Sequence, residues 1–284
     1  MFSSRHNRKK RPSAHQRKAH TPRAHAKTAS NRRFTRTRLT AIESEDHYQD
    51  DESLSLQALL LSILGGITLL LPCAAVTALI GQQLTNAELL GTLRWSSLAQ
   101  CFCLGVASML ILLAIPPIRR HILLPVYVFG HEFTHYIFVL ICYGKVSEFQ
   151  ASKDGGYIIA NRANILVSLS PYIVPLWALA IALIHGVLSL FLDLSALHST
   201  FFALYGATWI FNIFWTIWMI PLGQSDLSSN GTFFSLTLIY LSNTLLLSVL
   251  LEFTRATPSL FTWFCDLINT HLHLVESAQG LLDR

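Results

Sequence analysis

Six long apolar runs, parted by short polar stretches, constrain this chain more than any other feature. A helix needs about 20 predominantly apolar residues to cross the hydrocarbon core of a bilayer. Inside lipid every backbone N–H and C=O must be paired within the segment, so such runs become helices or strands of closed barrels. The runs are too long and too uniformly apolar for alternating barrel strands. They lie at 56–81, 97–118, 121–144, 163–192, 201–223 and 232–253. Pro116 and Pro117 end the second, and Pro171 and Pro175 bend the fourth. The pattern predicts an all-α polytopic membrane protein with about six transmembrane helices. Only 13% of the residues are charged, against about 25% in soluble domains.

The net charge of +5 hides an uneven distribution. Thirteen of the 21 Lys and Arg fall within residues 1–40, and six of the 16 acids follow between Glu43 and Glu52. This divides the chain into a basic tail with an acidic hinge (1–52), two N-terminal spans (53–118), a membrane core (119–253) and a C-terminal tail (254–284). The tail has almost no large apolar residues and is expected to be disordered. Its basic charge suits the cytoplasmic side and contact with anionic lipid. Clustered Lys and Arg can also neutralise phosphates, but no specific nucleic-acid partner is expected. Five cysteines lie mostly in apolar runs and suggest small buried residues rather than a disulfide framework.

One segment after the third run does not read as a helix. Residues 145–162, "KVSEFQASKDGGYIIANR", are too polar for lipid. Val146, Phe149, Tyr157, Ile158 and Ile159 predict short strands, with Gly155 and Gly156 at an edge or turn. The fold expected is therefore helical with a small β-strand insertion after the third span.

The third run carries its own anomaly, "VFGHEFTHYIFVL" at 128–140. Ionisable residues in a span are costly and mark function. His131 and His135 are four apart, so both rings leave one helix face and can share one Zn(II). Glu132 stands beside them. Zn(II) brings the pKa of a bound water to about 7, and a neighbouring glutamate can take its proton. HExxH is thus a metal-hydrolase signature. Three protein ligands leave one position open, so a third is needed. Asp226, in the polar break "PLGQSDLSSNG", is favoured, then Asp154; Asp193 follows the fourth run. His271 and His273 read as solvated tail residues.

The stretch "GHEFTHYIFVLICYGKVSEFQ" resembles the pattern of the site-2 protease family of intramembrane zinc metalloproteases, HExxH followed by Gly-x-Val-x-x-Phe. Gly144, Val146 and Phe149 occupy the later positions. "KDGGY" is similar to the Gly-rich strand that family uses to hold substrate, and "NILVSLSPYIVP" to its small-residue and Pro motif. The family's third ligand is an Asp, typically within Asn-Pro-Leu-Asp-Gly. Here Asn212, Pro221, Leu222 and Asp226 follow in order but loosely, with no Asp-Gly pair. The resemblance covers about residues 121–250. It implies His131, His135 and Asp226 as zinc ligands and Glu132 as base. It implies Gly155, Gly156 and Tyr157 as substrate-binding, and a partly unwound transmembrane segment of a partner protein as substrate.

Other classes compete. A protein on the same scaffold could bind metal or membrane segments without cleaving them. A transporter could use His131 and Glu132 for protons or metal. A prenyl-protein type of peptidase would need a late Glu ligand, for which only Glu252 is placed. Two orientation signals also oppose each other. A cytoplasmic tail followed by two spans, with Arg119 and Arg120, runs the HExxH helix outward. The resembled family runs it inward, which Lys145, Lys153 and Arg162 favour. The expected location is the plasma or inner membrane.

Overall fold

The computed structural model describes residues 56–85, 97–152, 155–223, 225–255 and 257–282. The basic tail and Asp154 lie outside the described residues. Within them the protein is an α-helical membrane protein with one small sheet. Helix α1 spans Leu56–Thr85, α2 Ser97–Ala114 and α3 Leu124–Ile141. A β-hairpin follows, β1 Val146–Ser152 and β2 Gly155–Ala160. Then come α4 Ile165–Ile173, α5 Leu176–Ser189, α6 His198–Met219, the short α7 Ser225–Ser228, α8 Thr232–Glu252 and α9 Leu260–Leu282.

Among the described residues, five helical segments are long and apolar enough to cross a membrane: those of α1, α2, α3, α6 and α8. Together α4 and α5 also pass that test, bent by 72° at their junction. Leu61, Leu64, Leu104, Ile111 and Ile217 stand exposed on these helices, as lipid-facing side chains do.

Local chemistry explains the breaks. After α2, Ile115 is extended (φ −86°, ψ 107°), because the residue before proline avoids the α region. A turn at Pro116–Ile118 and a π-helical turn at Arg119–Leu123 then lead into α3. The fourth run shows one of its two expected bends, the one at Pro175. Pro171 stays inside α4, and the chain breaks between Ile173 and Leu176, at Val174 and Pro175. The C-terminal segment, expected as a short tail, forms the 23-residue α9.

Helices pack in pairs. Along α1 and α8, Cys73 Sγ lies 3.7 Å from the Thr237 carbonyl, Thr77 Oγ1 2.8 Å from Tyr240 Oη, and Gln83 Nε2 donates to the Ser248 carbonyl at 3.0 Å. Between α2 and α6 the backbones meet at glycine. A Cβ on Gly105 would stand 1.8 Å from the Ala203 carbonyl oxygen, and one on Gly206 2.1 Å from that of Phe102.

The hairpin is antiparallel, with Gln150 opposite Tyr157 and Ala151 opposite Gly156, and a bulge between Val146 and Glu148. It lies along α3 rather than beyond its end. Phe149 meets Phe129 and Tyr136 edge-on, with centroids 6.2 and 6.0 Å apart. Gly144 makes the return possible: a Cβ there would stand 2.7 Å from Val139 Cγ1.

Candidate metal centre

His131, Glu132 and His135 are all buried on α3. Asp226 enters from α7 and is 4% exposed. Its Oδ2 lies 3.6 Å from His135 Nε2 and 3.9 Å from His131 Nε2. One ligand atom from each of the three residues falls within 4.8 Å of the others, a group able to hold a metal ion. Atoms 2.0–2.1 Å from a tetrahedral ion stand roughly 3.4 Å apart, so the observed spacing needs only small closure. The donor set, two imidazoles and one carboxylate, leaves a fourth position open.

The other nitrogen of each imidazole is also engaged. His135 Nδ1 lies 2.8 Å from the Val167 carbonyl. That carbonyl is available for a reason legible in the chain. In an α-helix it would accept from the N–H of residue 171, but Pro171 has none. The proline thus frees an acceptor that fixes the His135 ring. His131 Nδ1 lies 3.1 Å from Tyr127 Oη, and the Tyr127 ring stacks on Trp215 with centroids 5.2 Å apart. Partners of this kind set the tautomer and orientation of metal-binding histidines.

Glu132 is 1% exposed, and neither carboxylate oxygen has a hydrogen-bond partner. Leaving such a group unpaired costs about 1–3 kcal/mol or more. β2 covers it: a Cβ on Gly156 would stand 2.4 Å from Glu132 Cγ and 2.9 Å from Oε1. A buried carboxylate beside three convergent ligand atoms fits a group that acts on something bound there.

Asp226 is held in place by the turn around it. Asn230 Nδ2 donates to the Asp226 carbonyl at 3.1 Å and to Ser168 Oγ at 2.7 Å, tying α7 to α4. Tyr172 Oη reaches Asp226 Oδ2 at 3.5 Å. The Tyr172 carbonyl, near the break of α4, accepts from Asn243 Nδ2 at 2.8 Å.

The substrate-binding expectations separate. Gly155 and Gly156 lie on β2, with Gly155 at φ 136°, and Gly156 faces Glu132. Tyr157 faces the other way and donates to Glu148 Oε1 on β1. That carboxylate pushes the Tyr157 phenol pKa up.

The competing acids lie elsewhere. Asp193 accepts from the Ser195 N–H at 3.0 Å in the α5–α6 connector, which lowers its pKa. Glu252 pairs with Arg255 at 3.1 Å and accepts from the Ser259 N–H at 3.2 Å. His273 pairs with Glu276, both exposed side chains of α9. Many interior polar residues serve backbone carbonyls: Thr134 bonds that of Gly130, Ser170 that of Val167, and Thr237 that of Phe233.

Sequence reading missed Tyr127, Tyr172 and the Val167 carbonyl. Tyr127 lies one helical turn before His131, so spacing could have placed it on the same face. Pro171, four residues on, marks the Val167 carbonyl as one that the helix backbone does not use; nothing local marks Tyr172.

No family model, no curated protein and no solved structure matches this chain.

Proposed function

We propose that the chain is a zinc-dependent intramembrane endopeptidase, a multi-pass protein of the plasma or inner membrane that cleaves a transmembrane segment of a partner protein. The observation that carries this reading is the convergence of His131, His135 and Asp226 beside the unpartnered carboxylate of Glu132. Zinc, when held there, supplies Lewis-acid activation of water near neutral pH. Every other part belongs to the chain. Glu132 takes the proton from the attacking water and passes it to the leaving amine. Val167 and Tyr127 hold the two imidazoles in register. The hairpin of β1 and β2 is the surface assigned to substrate, an unwound segment adding to it as a further strand. Gly155 and Gly156 let that segment come close to the carboxylate. The basic tail is assigned to anionic lipid.

Glu132→Gln keeps size and polarity but cannot accept the proton. Hydrolysis of a panel of transmembrane peptides in nanodiscs is expected to fall 10²–10⁴-fold, with zinc content unchanged. Unchanged hydrolysis in that variant overturns the mechanism. A fully zinc-loaded wild type that cuts none of the panel favours a metal-binding protein that engages membrane segments without cleavage.

A further inference from the structure

We infer that α4 and α5 form a re-entrant pair that enters and leaves the membrane on one side, so that the described residues cross it five times. The inference concerns topology and stands independently of the proposed reaction.

The directions of the other helices follow from which residues meet. α1 and α8 run the same way, because Cys73, Thr77 and Gln83 meet Thr237, Tyr240 and Ser248 in rising order. α2 and α6 also run together. Gly105 abuts Ala203. Further along, Arg119 Nη1 donates to the Leu113 carbonyl at 3.0 Å while its guanidinium lies 5.2 Å over Trp218. Leu113 is therefore beside the late part of α6, not the early part.

α3 runs against α6: Arg119, just before it, is at Trp218, and Tyr127 is at Trp215 and Phe211. α8 runs against α6 as well. Residues 223–231 join the two and include α7. Nine residues reach about 30 Å only when fully extended, and the helical turn shortens them. They cannot carry the chain back across a span, and Asn212 on α6 meets Asn243 on α8 at 3.3 Å.

It follows that α1, α3 and α8 point one way and α2 and α6 the other. In chain order these five already alternate. A sixth crossing between α3 and α6 would make those two run together, which the contacts exclude. The pair itself shows how it turns. α4 runs back along α3, with Val167 at His135 and Tyr172 at His131. α5 then runs back along α6, from Trp177 near Phe211 to His185 Nδ1 at 2.9 Å from Tyr205 Oη.

At the tip, Pro171, Val174 and Trp177 close on Tyr127, Thr134 and Asn212 around a cavity of about 20 Å³. That is room for one water. Broken backbone at membrane depth is tolerated where it faces protein or such a cavity, and the tip meets that condition.

Single cysteines at two exposed connectors separate the alternatives. Ala163→Cys lies between the hairpin and α4, and Ala196→Cys between α5 and α6. Each is labelled in intact vesicles of known orientation with a membrane-impermeant maleimide and scored above the wild-type background. Both labelling from the same side is the expected result, and labelling from opposite sides overturns the proposal. Reporter domains fused to the two ends of the full chain test it again without relying on either cysteine. Five crossings put the ends on opposite sides of the membrane; ends on the same side contradict it.

Discussion

Gly156 lies directly against Glu132. A Cβ at position 156 would stand 2.4 Å from Glu132 Cγ and 2.9 Å from the Gln150 carbonyl oxygen. The β-hairpin is thus fitted to the carboxylate with no room for a methyl group. Gly156→Ala must move either the strand or the Glu132 side chain. The account predicts a fall in peptide hydrolysis of about 10²-fold or more, within the range set by a misplaced general base, while bound zinc remains. Parallel assays of zinc content and hydrolysis check this. Loss of zinc with hydrolysis would mean that the residue supports the fold rather than the base.

Pro171 acts on His135 through an absent hydrogen-bond donor. Pro171→Ala restores an N–H that can compete for the Val167 carbonyl, now 2.8 Å from His135 Nδ1. Removing a proline from a helix interior would ordinarily favour the helix. The expected outcome is therefore split: melting temperature equal or higher, zinc affinity lower by 10–100-fold, the range found when outer partners of metal-binding histidines are lost. Competition with a chromophoric chelator measures the affinity.

Tyr127→Phe keeps the ring that stacks on Trp215 and removes the hydroxyl that meets His131 Nδ1. Zinc affinity is expected to fall by roughly 10-fold or more, with little change in melting temperature. A large loss of stability with unchanged zinc affinity would assign the hydroxyl to packing.

The α2–α6 contact admits no side chain at Gly105. Its Cβ would stand 1.8 Å from a backbone oxygen, which cannot swing aside as a flexible side chain can. Gly105→Ala is predicted to force the two helices apart, with a stability loss of about 1–3 kcal/mol or more, as overpacking gives. Thermal unfolding in detergent reads it. Gly81→Ala serves as the control, since nothing lies within 4 Å of its Cβ position.

What the chain disclosed follows from the range of each interaction. The six apolar runs and the hairpin were legible because helix length and strand alternation are local. The HExxH pair was legible because a four-residue spacing fixes a common face. Asp226 stood out as an acid within a polar break, but its approach to His135 depends on α7 folding back, which no local rule states. Pro171 was legible as a bend and proved to be an interior residue whose missing donor matters more than its kink. The break fell at the second of the two expected prolines, at Val174 and Pro175, because the residue before a proline leaves the α region. Tyr172 needed the packing of α4 against α3 before its relation to the site had any meaning.

The central claim is that His131, His135 and Asp226 hold one zinc ion. The most direct test is the zinc content of the detergent-purified protein, wild type beside Asp226→Ala and Asp193→Ala. The account predicts about one zinc per chain in the wild type and in Asp193→Ala, and loss in Asp226→Ala, since a catalytic site takes three protein ligands. A wild type that holds no zinc after it is supplied, or zinc retained at full affinity in Asp226→Ala, would contradict it.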